Sequence, residues 1–112
     1  MNPSKELVAA SSVSLVLSIL SAGDSYGYEI IKTVDRISGG AWSWSEGMLY
    51  PVLHKLEKNG WISSYWRRGT GNRRRKYYRL EQEGKRALKA QKAEWLKVHS
   101  ILMNSWPDEE EL

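Results

Sequence analysis

Residues 45–62 read SEGMLYPVLHKLEKNGWI, and their spacing decides how the rest of the chain is read. Leu49, Val52, Leu53 and Leu56 fall at i, i+3, i+4 and i+7, which puts one apolar face on a helix. The other face carries Gly47, Pro51, His54 and Lys58, flanked by Tyr50 and Lys55. Small, aromatic and hydrogen-bonding groups in that mixture suit the floor of a DNA major groove. Ser45 is a fitting N-cap, and Glu46 suits the positive end of the helix dipole. Gly60 stands where a chain leaving a helix takes positive φ. Alone, the segment reads first as an ordinary amphipathic surface helix.

Working outward on the C-terminal side, Trp61–Arg67 and Arg73–Leu80 read as strands rich in tryptophan, tyrosine and isoleucine. Residues 68–72, Arg-Gly-Thr-Gly-Asn, make a flexible hairpin tip. Arg67, Arg68, Arg73, Arg74, Arg75, Lys76 and Arg79 lie together without an acid among them. A run of like charge is usually a solvated face or a disordered arm. Here it is ribbed with Trp66, Tyr77 and Tyr78, which argues for order. A basic hairpin directly after a helix is the layout of a wing beside a recognition helix.

On the N-terminal side, Glu6–Ala22 reads as a helix with its stripe at Val13, Val16, Leu17 and Leu20, widened by Val8, Leu15 and Ile19. A second helix is expected from Asp24-Ser25, with either residue as N-cap and Ile30, Ile31, Val34 and Ile37 facing the core. Gly39-Gly40 ends it, and Ala41–Trp44 is expected to add a small strand. Pro51 lies beyond the first turn of the central helix, so a bend without a break is expected there. Glu81 to about Trp106 forms a last long helix, in which Leu88, Trp95 and Leu102 repeat every seven residues and Val98 adds a second seam position. Pro107 ends it, before an acidic tail expected to be mobile.

The chain has 112 residues, 41% hydrophobic and 27% charged, which are values for one globular domain. Asp108, Glu109, Glu110 and Glu111 hold four of the 13 acids, so the remainder carries 17 basic against 9 acidic residues, or +8. Such a balance points to a polyanion, and nucleic acid leads. With no cysteine, disulfides and thiolate metal sites are excluded, which fits a reducing cytoplasm. Met1 to Glu6 does not begin a signal peptide, and the longest apolar run, Val13–Leu20, is too short to cross a bilayer, so no membrane partner is expected. Enzyme chemistry finds little support: His54 and His99 stand on separate helices, no serine sits in a nucleophile elbow, and Gly69-Thr70-Gly71 lacks the lysine of a phosphate loop. No cofactor or metal is implied.

LYPVLHKLEKNGWI followed by RRRKYYRLEQEG resembles the PadR family of bacterial transcriptional regulators, and YGYEIIK matches that family's second helix. The likeness covers nearly the whole chain and is to the short members, which carry a single C-terminal helix. It implies a mainly α fold with a small β-hairpin: a winged helix-turn-helix domain at residues 1–80, a dimerisation helix at 81–106 and a tail at 107–112. It also implies a homodimer that represses genes from a palindromic operator in double-stranded DNA. Ser45, Gly47, Tyr50, Pro51, His54, Lys55 and Lys58 would then read or flank the bases. Arg67, Arg68, Arg73, Arg74, Arg75 and Lys76 would hold phosphates. Leu88, Trp95, Val98 and Leu102 would build the dimer.

In family members, phenolic acids or flat hydrophobic drugs release the DNA. Trp95 matches a tryptophan that stacks on a flat drug in a multidrug-sensing member; packing the dimer seam is its plainer role. His99 stands where that member carries an acid, which removes an attractive partner for cationic ligands. Two rival readings are a winged-helix module that binds protein and a sequence-tolerant architectural DNA binder.

Overall fold

Helix α1, Lys5–Ser21, is the hub on which the other elements pack. Then follow a two-residue strand β1 (Ser25–Tyr26), helices α2 (Gly27–Ile37) and α3 (Glu46–Lys58), and the hairpin β2 (Ile62–Arg68) and β3 (Arg74–Leu80). The long helix α4 (Gln82–Ser105) and a 3-10 turn at Glu109–Glu111 complete the chain. This computed structural model describes residues 4–112; the first three residues, included in the expected 1–80 unit, lie outside that range. The arrangement is the winged helix-turn-helix expected from the sequence.

Val16, Leu17, Ile30, Val34, Leu49, Leu53 and Leu56 are fully buried and fuse α1, α2 and α3 into one core. Ile62, Tyr78 and Leu80 close it from the sheet side. Tyr78 is nearly inaccessible, and its hydroxyl is pushed up to about 12 by burial first and by the nearby Glu57 second.

Helices α2 and α3 end alike. The Gly39 and Gly40 amides donate to the Arg36 and Asp35 carbonyls, and the Gly60 and Trp61 amides donate to those of Glu57 and Leu56. These paired bonds need a residue at positive φ, which Gly39 (62°) and Gly60 (74°) supply. At the start of α3 the Ser45 hydroxyl accepts from the Met48 amide, as the sequence predicts. Pro51 stays inside the helix without breaking it, because the apolar spacing on both sides of it is anchored in the core.

Two local expectations are corrected. The small third strand is not Ala41–Trp44 but Ser25–Tyr26, which pairs antiparallel with Tyr78 and Tyr77, giving the sheet order β1-β3-β2. Ala41–Trp44 is irregular, and its tryptophans are fixed by burial rather than pairing: Trp44 is buried and Trp42 packs on the core. Neither Asp24 nor Ser25 caps α2. Ser25 is held in the sheet and donates to Glu29 at 2.6 Å, and the cap position falls to Tyr26, with no side-chain bond. Asp24 turns to the wing, where its carboxylate accepts from the Tyr65 hydroxyl at 2.6 Å and lies 3.5 Å from Arg79.

Candidate nucleic-acid interface

On α3, the burial of Leu49, Leu53 and Leu56 forces the opposite side outward. Gly47, Tyr50, Pro51, His54, Lys55 and Lys58, the six positions read from spacing, are all exposed, as is the N-cap Ser45.

In the wing, the antiparallel register sets Ile62 opposite Leu80, Ser64 opposite Tyr78, Trp66 opposite Lys76 and Arg68 opposite Arg74. Paired side chains point to the same face of a sheet. That face starts in the core and turns basic toward the tip. The alternate face carries Tyr65 opposite Tyr77 and Arg67 opposite Arg75. Tyr26 joins it from β1, its ring 5.2 Å from Tyr77, while Tyr65 stacks on Tyr77 at 5.8 Å.

A guanidinium lies over each of these three rings: Arg75 on Tyr26 at 4.5 Å, Arg67 on Tyr77 at 5.1 Å and Arg79 on Tyr65 at 4.7 Å. Arg74 covers Trp66 at 5.5 Å on the other face. Cation–π contact directs an arginine without neutralising it. Among the described residues, Arg79 is the one wing arginine in an ion pair, so Arg67, Arg68, Arg73, Arg74, Arg75 and Lys76 keep their charge available. The bond to Asp24 also raises the Tyr65 hydroxyl above its ordinary range.

A groove of about 710 Å³ runs between the wing and the starts of α2 and α3. It unites Tyr50 of α3 with Arg73, Arg74, Arg75 and Lys76 of the wing. Tyr26, Tyr28, Glu46 and Trp66 line it too and were not among the predicted DNA contacts. Their signal was present as aromatics beside a glycine in Tyr26-Gly27-Tyr28, but the placement depends on the fold. A Cβ on Gly27 would stand 2.9 Å from the Tyr50 hydroxyl and push that exposed side chain aside, so Tyr50 lies directly against the first turn of α2. His54, Lys55 and Lys58, exposed further along α3, and Arg67 and Arg68, exposed on β2, are not among the residues that line the groove.

The predicted dimer positions divide. Leu88 is half-buried against the domain's own core. Trp95, Val98 and Leu102 are exposed, as is His99. Trp95 borders a recess of about 250 Å³ with Ser11, Ser14, Leu15, Ser18 and Trp42.

A helix-turn-helix whose outward helix shares a cationic groove with a β-ribbon defines a winged-helix regulator. The chain belongs to the PadR-like family of transcriptional regulators, whose family model matches residues 16–90. It is 33% identical over 89 residues to protein X of Lysinibacillus sphaericus, uncharacterized, covering 80% of this chain and 82% of that one. It is 34% identical over 84 residues to the transcriptional regulator YqjI of Escherichia coli; the match covers 73% of this chain but only 34% of that longer protein.

Among solved structures, a transcriptional regulator from Clostridium thermocellum superposes with a TM-score of 0.85 at 33% identity, covering 94% of this chain and 99% of that one. A PadR family regulator from Clostridium difficile gives 0.73 at 35% identity, covering 84% and 96%. Among the described residues, no helix is long and apolar enough to cross a membrane.

Proposed function

We propose that the chain is a sequence-specific repressor that binds a palindromic operator as a homodimer. The observation that carries this reading is the shared groove: Tyr50, on the exposed side of α3, lines it together with the unpaired wing cations Arg73, Arg74, Arg75 and Lys76. Two α3 helices related by a two-fold axis would enter major grooves about 34 Å apart. Tyr50, Pro51, His54 and Lys55 stand nearest the bases, with Ser45, Gly47 and Lys58 at the edges of the contact. The wing arginines and Lys76 hold phosphates, which gives affinity and a steep salt dependence. A gel shift with upstream fragments, repeated over a salt series, tests this; no shift at low salt on any fragment contradicts it.

Pairing of the two chains rests on the exposed Trp95, Val98 and Leu102 of α4. An effector that releases the DNA would be flat and aromatic and stack on Trp95, with His99 one turn on, because indole faces suit such rings. Effector and DNA would then oppose each other reciprocally through one dimer arrangement. Quenching of tryptophan emission that persists unchanged in Trp95→Ala would remove Trp95 from this role.

A further inference from the structure

Glu46 is an acid inside a cationic surface, and no described residue partners it. It is the first residue of α3, it is exposed, and it lines the groove together with Arg73, Arg74, Arg75 and Lys76. Among the described residues it nevertheless enters no ion pair. Other acids of the winged domain are tied down: Asp24 accepts from the Tyr65 hydroxyl, Glu29 from Ser25 and Glu57 from Ser64. None of the hydrogen bonds among the described residues ends on the Glu46 carboxylate.

The start of α3 does not account for it. Ser45 already caps the helix by accepting from the Met48 amide. The attraction of an acid to the helix dipole is small, a factor of about 2 to 5 at an exposed site. Against that stands repulsion from the phosphates that the neighbouring cations attract. An acid here therefore weakens a grip that reads only the backbone, and it has use only where DNA presents a donor.

We infer that Glu46 is a specificity-determining residue that reads a cytosine in each half of the operator, accepting from its N4 amino group. In the major groove guanine and thymine offer oxygen or nitrogen acceptors, and adenine pairs its amino donor with the N7 acceptor. Cytosine alone presents a donor without an acceptor on its own edge, which suits a carboxylate. The position fits, because the N-terminal residues of a recognition helix are the ones that meet base edges. Gly47 beside Glu46 keeps the helix start thin: a Cβ there would meet only Ser45 Oγ, at 3.7 Å. Tyr50 follows four residues on, about 6 Å further along the axis. The same charge repels the phosphates of sites that lack the cytosine, so it discriminates by penalty as well as by contact. The inference rests on the DNA-binding reading proposed above and adds which base one side chain selects.

Selection from a random duplex pool with the parent, Glu46→Gln and Glu46→Ala proteins tests it, with circular dichroism to show that the three share one fold. The parent pool carries a cytosine at one position mirrored in both half-sites, and replacing it lowers parental affinity roughly 10-fold per half-site. Glutamine offers a donor beside its acceptor and pairs with adenine N6 and N7, so the Glu46→Gln pool moves to adenine at that position alone. The Glu46→Ala pool loses the preference there, and both variants bind unselected DNA more tightly than the parent. Three pools enriched in the same bases at every position overturn the inference and leave the repressor reading standing. A Glu46→Ala protein that binds the parent's site more tightly with unchanged preference also overturns it, since phosphate repulsion is then the whole effect. Enrichment of no site by the parent removes the inference together with the reading it rests on.

Discussion

Gly84 fixes how α4 leaves the winged domain, and replacing it with alanine gives a sharp test of the geometry. A Cβ there would lie 2.6 Å from Leu80 Cδ1 and 3.0 Å from the Trp61 carbonyl carbon, with the carbonyl oxygen closer still. Side chains at such distances swing away, but the obstacle is backbone, and that carbonyl is already tied to the Glu81 amide at 2.9 Å. The start of α4 must therefore move outward by about 1 Å to restore ordinary contact. Overpacking of this kind costs about 3 kcal/mol at the upper end of its usual range. Losing the Glu81–Trp61 bond adds about 1 kcal/mol, and the better helix propensity of alanine returns about 1 kcal/mol. The net loss of about 3 kcal/mol corresponds to a Tm lower by about 10 °C in a domain of this size. Gly47→Ala is the matched control, because a Cβ there meets only Ser45 Oγ at 3.7 Å. Circular dichroism on heating and in urea measures both. A Gly84→Ala protein as stable as its parent would refute the close crossing of α4 over Trp61.

Four further outcomes follow from the same contacts. Gly27→Ala displaces Tyr50 while leaving the core intact, so DNA affinity falls several-fold with a Tm change of only a few degrees; equal affinity would take Tyr50 out of the interface. Arg74→Ala lowers the slope of log K against log salt by about 1, as expected for one lost phosphate contact, and an unchanged slope would assign Arg74 no phosphate. Leu102→Asp, exposed in the lone chain, yields folded monomers by sedimentation, whereas Leu88→Asp lowers stability because Leu88 packs on the core. Tyr78 releases its proton in the unfolded chain near pH 10 but only about pH 12 when folded, so its contribution is complete below pH 10 and is lost as pH rises through 12. Tyr78→Phe flattens that part of an alkaline unfolding curve, and an equally steep curve would contradict the burial of the hydroxyl.

Long periodic segments were legible because one physical demand, burial of a stripe, sets their whole length. The ends of α3 and the wing strands fell within a residue or so of where the spacing and Gly60 placed them. The errors came where two demands compete. Asp24 and Ser25 are good caps, yet long-range pairing of Ser25 and Tyr26 with β3 outweighs a local cap that residue types alone suggest. Ala41–Trp44 alternates like a strand, but its tryptophans are held by the core and its backbone pairs with none of the sheet's three strands. The exposed side of α3 followed directly from its buried one. Tyr26, Tyr28 and Trp66 joined the groove only through the fold, because nothing in local spacing brings the start of α2 against a wing tip more than forty residues away. Gly84 carried no signal at all, since its role is the approach of one backbone to another.

The most direct measurement is hydroxyl-radical footprinting on a DNA fragment selected from a random pool by the purified protein. Two-fold symmetric protection should appear, its halves centred about one helical turn apart, and should vanish when Arg73, Arg74 and Arg75 are replaced together by glutamate. Protection of a single half-site, protection spread evenly along the fragment, or a footprint unaffected by reversing the wing's charge would contradict a paired grip by α3 and the basic ribbon.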